Sequence, residues 1–196
     1  MKVYTRGNTL AETIISLFLL NLLMAFMFFV YRLGATALQS GEADTQLTQS
    51  AQLVTTRMSR EASRSSFESL ALDPPSGPAT AVSFLSPVGA NSGSPSYDPN
   101  TLFPIWHSHF VCYHVEGAQE LRWKMIPVSS PSINIERLTN LELQRSQGAL
   151  LSEEITSCEF TVVDKTLEVN LLAARQRLGK NEPDTIQLRS TVFFRN

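Results

Sequence analysis

One carboxylate, that of Glu12, stands just ahead of the longest apolar run in the chain, residues 14–31. Within this run only Ser16 and Asn21 are polar, and no residue is charged. An ionised group beside hydrocarbon calls for a cationic partner. The pattern Thr9-x-x-Glu12 is also a capping box, in which the acidic side chain serves the first helical turn. Two roles are therefore open for Glu12: ion pairing and helix capping.

The apolar run just reaches the length of a membrane-spanning helix. Lys2 and Arg6 precede it, so the N-terminus is expected in the cytoplasm and the rest of the chain is expected to be exported. No A-x-A-like cleavage site follows residue 31, which argues against a secretory signal peptide. We expect a single-pass membrane protein whose C-terminal domain is exported.

His107, His109, Cys112 and His114 crowd one predicted strand. Because alternate residues of a strand share a face, His107 and His109 should point one way, and Cys112 and His114 the other. This run cannot supply four metal ligands by itself. Histidines on a sheet surface beside a buried cysteine are the preferred interpretation, so no metal is predicted.

Other catalytic patterns are missing from the sequence, including G-x-S-x-G, H-E-x-x-H, a phosphate loop and a dinucleotide fingerprint. We therefore expect no enzymatic activity and no cofactor. The formal net charge of −2 gives no general attraction to nucleic acid. Arg57, Arg60 and Arg64 follow one helical side, but Glu61 and Glu68 interrupt them, so a solvated polar face is predicted rather than a phosphate-binding stripe.

Beyond the apolar run the helical pattern continues to about residue 66 as an amphipathic stripe. Asp73-Pro74-Pro75 should close the helical region. Short runs rich in β-formers then alternate with turn residues, and residues 86–104 read as a long loop. The stripe consists of Leu47, Ala51, Val54, Met58 and Ala62. The predicted strands are 79–85, 105–115, 120–128, 155–163, 167–173 and 185–195.

A long helix followed by strands predicts an α+β fold in which an antiparallel sheet covers the apolar stripe. In the last predicted strand, Ile186, Leu188, Val192 and Phe194 should share the buried face. We expect four segments. They are a short basic leader (1–7), the membrane helix (8–33), its amphipathic continuation (34–72) and the β-rich exported domain (73–196).

The N-terminus resembles the prepilin leader of type IV pilins and type II secretion pseudopilins. The resemblance lies in Gly7, Thr9, Leu10, Glu12 and the run to residue 31, about a sixth of the chain. It implies that prepilin peptidase cuts after Gly7 and methylates the new N-terminal residue, Asn8. It also implies that Glu12 serves filament assembly. Asn8 departs from the family, which usually has Phe or another large apolar residue there.

This resemblance implies the lollipop fold of the pilin family, with other pilin or pseudopilin subunits and the inner membrane as partners. The C-terminal pattern, most visibly residues 158–162 and 192–196, is similar to the ends of larger minor pilins and J-type minor pseudopilins. A minor pilin or pseudopilin, which helps to start or cap a filament, is the predicted function. The alternative is a single-pass membrane-anchored binding or enzymatic domain whose N-terminus stays uncut.

Cys112 and Cys158 both fall in the predicted exported domain, on separate strands. An oxidising compartment allows them to pair, and their separation argues against a CxxC redox or zinc motif. Both a disulfide and a pair of buried free thiols are consistent with the sequence.

Overall fold

The computed structural model describes residues 9–89, 94–145, 147–175 and 183–195. In these ranges a helix, α1, precedes eight strands and two one-turn 3₁₀ helices. Their bounds are α1 (Leu10–Ala62), a 3₁₀ helix (Phe67–Ser69), β1 (Ala71–Asp73), β2 (Ala81–Ser86), β3 (Trp106–Val115), β4 (Glu120–Ser132), a 3₁₀ helix (Glu142–Gln144), β5 (Ala149–Ser152), β6 (Ile155–Val163), β7 (Thr166–Arg175) and β8 (Asp184–Phe193). The α+β class expected from the sequence is confirmed.

By its internal contacts the chain divides into two units, Met1–Ala43 and Asp44–Asn196. The described part of the first unit is α1 from its start at Leu10. Asp44–Asn196, which we call the β unit, contains the last turns of α1 and all eight strands described. The β unit therefore begins within the helix, about 30 residues before the predicted domain boundary at residue 73.

The amphipathic stripe of α1 forms the centre of the β unit. Leu47, Val54, Met58 and Ala62 are fully buried and Ala51 is 1% exposed. They belong to one apolar cluster with side chains from both sheets, among them Phe84 and Phe110 of one sheet and Phe160 and Leu171 of the other. The predicted stripe is thus confirmed residue by residue, and its removal from water drives the packing of helix against strands.

The strands form two antiparallel sheets where the sequence indicated one. The first has the order β1-β2-β3-β4-β5, and the second has the order β6-β7-β8. The first sheet ends with β5 and the second begins with β6. Strand β5 pairs with only three residues of β4, whereas β6 pairs with β7 along its length. Ala79 and Phe160 bridge the two sheets through reciprocal backbone hydrogen bonds of 3.0 and 2.7 Å.

Two short connections form hairpins. β3 and β4 pair across residues 116–119, which separate two of the predicted strands. Between β6 and β7, Asp164 and Lys165 both have positive φ angles, 46° and 62°. Such angles at two adjacent central residues belong to the tight turn that matches the twist of a hairpin. In β8, Ile186 and Leu188 pack against the core and Gln187 and Arg189 are exposed, which confirms the predicted alternation.

Helix α1 ends at Ala62, so the helical continuation predicted as far as residue 72 is too long. The reason is a run of serines. The backbone N–H of Ser65 bonds to Ala62 O at 2.9 Å, a tightened turn, and Ser63 Oγ donates to Arg60 O at 2.9 Å. Serine side chains of this kind compete with the helical ladder. Ser66 is already extended and caps the following 3₁₀ helix.

Two short strands, β1 and β5, were not predicted, because three or four residues carry little periodicity. Gly148 shows how β5 reaches β4. A Cβ at this position would lie 2.7 Å from the Tyr113 hydroxyl and 2.9 Å from Trp123 O. The Gly148 N–H donates to that hydroxyl at 2.9 Å, so a glycine is needed for this close approach.

Two leucines of α1 test the packing of the stripe. Leu47 is fully buried and Leu53 is 57% exposed. Leu47→Ala should lower the free energy of unfolding of the β unit by about 2–5 kcal/mol through lost contacts and a cavity. Leu53→Ala should change it by less than about 0.5 kcal/mol. Chemical denaturation of the detergent-solubilised chain, followed by near-ultraviolet circular dichroism, measures both, and equal losses would contradict the packing described.

Candidate functional site

At the start of α1, Thr9 and Glu12 cap each other. The Thr9 N–H donates to Glu12 Oε2 at 2.8 Å, and the Glu12 N–H donates to Thr9 Oγ1 at 3.4 Å. This reciprocal pair is a capping box, and it satisfies two backbone donors of the first turn. Glu12 is therefore held at the N-terminal end of α1. Gly7 and Asn8, the predicted cleavage and methylation residues, lie outside the described residues.

Beyond this cap, the described residues give the first part of α1 no apolar cover. From Leu10 to Leu33, every large apolar side chain is more than half exposed. Its most apolar 18-residue window has a mean hydropathy of 2.4, and none of the window is buried. Inside it, the Asn21 amide donates to Leu17 O at 3.0 Å, so this polar group has a partner within the helix. The helix is long and apolar enough to cross a membrane.

Cys112 and Cys158 lie inside the β unit as buried free thiols. Both belong to the main apolar cluster. Burial raises the pKa of the Cys112 thiol to about 12. It also raises the pKa of the Cys158 thiol well above its ordinary value, and the neighbouring Cys112 adds to this shift. At neutral pH both sulfurs are protonated and slow to react, because the thiolate is the nucleophile.

The histidines of β3 point as the alternation predicted. His109 lies on the face of Val111 and Tyr113, and burial lowers its pKa. His114 lies on the opposite face, where its Nε2 is 2.8 Å from Ile155 O and links β3 to β6. Among the described residues, no group of three His, Cys, Asp or Glu side chains could hold a metal ion.

The arginines near the end of α1 form a feature that the sequence did not reveal. Arg57 is half-buried, and its Cζ lies 3.5 Å from the centre of the Trp123 ring. Glu61 is only 5% exposed. The prediction of a fully solvated polar face is therefore wrong at these two positions, because β4 covers this side of the helix. Together with Arg60, Arg64, Val88 and Met125 they line a cavity of about 320 Å³, the arginine groove.

A second surface lies where the loop before β3 meets the segment after β4. Phe103, Trp106, Ile133 and Ile135 line a cavity of about 200 Å³ that we call the apolar groove. Phe103 is 62% exposed and its neighbour Leu102 is 72% exposed. Leu102 has a φ of 57°, a left-handed conformation that is unfavourable for leucine.

The conformation of this loop is fixed by Asp98. Its Oδ1 accepts from the Asn100 N–H at 2.9 Å, its Oδ2 accepts from Thr101 Oγ1 at 2.8 Å, and its carbonyl accepts from the Leu102 N–H at 2.8 Å. The side-chain hydrogen bonds lower the pKa of Asp98. The C-terminal end of the loop predicted over residues 86–104 therefore has a defined, hydrogen-bonded conformation. It presents two large apolar side chains to solvent.

No family model, curated protein or solved structure matches the chain, so the proposals below depend on its sequence and geometry.

The shared cluster of Cys112 and Cys158 leads to a redox prediction. In an oxidising compartment we expect a disulfide between them, closing a loop of about 45 residues and stabilising the β unit by roughly 3–4 kcal/mol. Protein that is denatured and alkylated without reductant should then show neither cysteine modified by mass spectrometry. Prior reduction should expose both. Modification of both cysteines without reductant would show that the thiols stay free under oxidising conditions.

Proposed function

We propose that this chain is a minor pilin or pseudopilin, a non-catalytic subunit of a type IV pilus or a type II secretion pseudopilus. One observation carries the proposal. A single helix has an uncovered apolar first part that begins at Glu12, and its last turns form the core of a folded β unit. Such a helix needs an apolar environment from outside the chain. Lipid supplies that environment before assembly, and neighbouring helices supply it in a filament.

The orientation of the chain follows from charge. Lys2 and Arg6 keep the N-terminus in the cytoplasm, and the β unit is placed on the far side of the inner membrane. On the cytoplasmic side, prepilin peptidase removes residues 1–7 and methylates Asn8. The oxidising compartment beyond the membrane is also the one in which Cys112 and Cys158 can join.

Glu12 then has a second role besides its cap. Cleavage after Gly7 creates an α-amino group on Asn8, which is mostly cationic at neutral pH because its reference pKa is about 7.7–8. In a filament core the Glu12 carboxylate neutralises the amine of an incoming subunit. An amine left unpaired in so dry an environment would be costly.

Within this class the chain acts at the start or the tip of the filament. Asn8 supports this role, because a polar first residue is unfavourable in an apolar core that is repeated along a shaft. The loop that exposes Leu102 and Phe103 supports it as well, since a repeated shaft subunit needs a uniform surface. The alternative is a membrane-anchored binding domain whose N-terminus stays uncut. The processing test that follows distinguishes it from a pilin.

Processing after Gly7 is the decisive prediction. Protein extracted from membranes of a host with prepilin peptidase should begin at Asn8, as measured by intact mass and N-terminal sequencing. Gly7→Leu should leave the full precursor in the membrane. Gly34→Ala is the matched control, because nothing lies within 4 Å of a Cβ there, and it should be processed normally. Mature wild-type protein that still begins at Met1 would refute the pilin assignment.

Charge and capping can be separated at Glu12. Glu12→Gln keeps a side chain that can reach back to the Thr9 N–H but lacks the charge, whereas Glu12→Ala loses both. We expect both variants to fold and to enter the membrane, since a cap contributes only about 0.5–2 kcal/mol. Both should be depleted from sheared filaments, as quantified by immunoblotting. Normal incorporation of Glu12→Gln would reduce Glu12 to a cap.

A further inference from the structure

The arginine groove concentrates positive charge in a chain whose formal net charge is −2. Arg57, Arg60 and Arg64 line it, opposed by the single carboxylate of Glu61. We propose that the arginine groove binds an acidic segment of another polypeptide, through carboxylates that pair with the guanidinium groups. This inference does not rest on the proposed function, since it depends only on the folded β unit.

The groove exists because a helix and a sheet meet there. Arg57 and Arg60 lie at i and i+3 of α1, and Arg64 follows just after the helix ends at Ala62. Trp123 and Met125 come from β4, and Val88 follows β2. Trp123 is itself stacked on Phe110, with ring centres 5.9 Å apart and planes 18° apart. Trp123 therefore forms a packed floor of the groove, and Arg57 lies over it.

Arg57 is preorganised as an anion receptor. Its guanidinium carbon lies over the Trp123 ring, a cation–π contact that positions the side chain and leaves N–H groups of the guanidinium for hydrogen bonds. Its Nε is buried and has no hydrogen-bond partner among the described residues. Burial also lowers its pKa, which reports how much water the guanidinium has lost. A partly dehydrated guanidinium attracts a carboxylate more strongly than a guanidinium in free solution does.

The internal carboxylate does not neutralise the groove. Glu61 Oε2 already accepts a hydrogen bond from Ser86 Oγ at 3.4 Å, and its Oε1 is 3.9 Å from Arg60 Nε. Arg64 has no ion-pair partner in the described part of the chain. Three cationic groups against one anionic group leave two positive charges unmatched, and two carboxylates would balance them.

A simpler explanation is that the arginines only complement the helix end. Cations near a helix C-terminus are favoured by the macrodipole. That effect accounts for Arg60 in the last turn. It does not account for Arg57 placed over Trp123, nor for Arg64, which lies beyond the last helical residue and inside the same cavity.

A carboxylate fits this groove better than a phosphate dianion does. Planar guanidinium groups match planar carboxylates in bidentate pairs. Glu61 would repel a second highly charged anion inside the same cavity. The apolar walls formed by Val88 and Met125 suit a segment in which acidic residues flank an aliphatic one.

The test uses the full chain in zwitterionic detergent micelles and the peptide acetyl-Asp-Glu-Leu-Glu-amide as the probe. Nitrogen-15 NMR follows the two tryptophan indole N–H signals. That of Trp123 should shift on titration, and that of Trp106, in the apolar groove, should not. The uncharged peptide acetyl-Asn-Gln-Leu-Gln-amide should give no shift. Arg64→Gln should weaken binding about two- to fivefold, the range of an exposed ion pair.

Arg195→Gln is the matched control, because Arg195 is exposed and lines the apolar groove instead. It should bind the acidic peptide like the wild type. Raising the salt concentration should weaken binding by screening.

Three results would overturn the proposal: equal shifts with the uncharged peptide, undiminished binding by Arg64→Gln, or a stronger response to inorganic phosphate than to the peptide. Self-association abolished by Arg64→Gln, as measured by sedimentation, would identify a second copy of the chain as the occupant instead.

Discussion

The buried stripe of α1 is the contact on which the β unit depends. Five small or aliphatic side chains, spaced three or four residues apart, meet side chains from two separate sheets in one cluster. The apolar face of each sheet must be buried against another element, and the stripe of α1 packs against both faces. The helix therefore closes both, and this is why the compact unit begins within α1 at Asp44 and not where the strands begin.

One helix thus meets two different demands. Up to Leu33 its large apolar side chains are exposed in the chain, and from Leu47 its stripe is buried by strands. An apolar surface of the first kind is stable only beside lipid or other apolar helices. In the function proposed above, the chain would leave a membrane for a filament core while its β unit stays folded, because the two parts of the helix serve separate environments.

The sequence was most informative where one periodicity governs a long element. The stripe from Leu47 to Ala62, the alternation in β8 and the turn at Asp164 were predictable because local spacing or turn chemistry determines them. The division into two sheets and the short strand β5 depend on contacts distant in sequence, such as Ala79 with Phe160 and Gly148 with Tyr113. No local pattern encodes such pairs, so they were out of reach.

The arginines illustrate the same limit at a candidate site. On a helical wheel, Arg57 and Glu61 fall among polar residues, and charged side chains are rarely buried unless they are paired. Only when β4 places Trp123 against α1 does the stem of Arg57 become packing surface and its guanidinium a fixed charge. Since helix and sheet each supply part of this groove, it is lost if they separate. Any partner that binds there therefore recognises the folded β unit rather than a linear stretch of the helix.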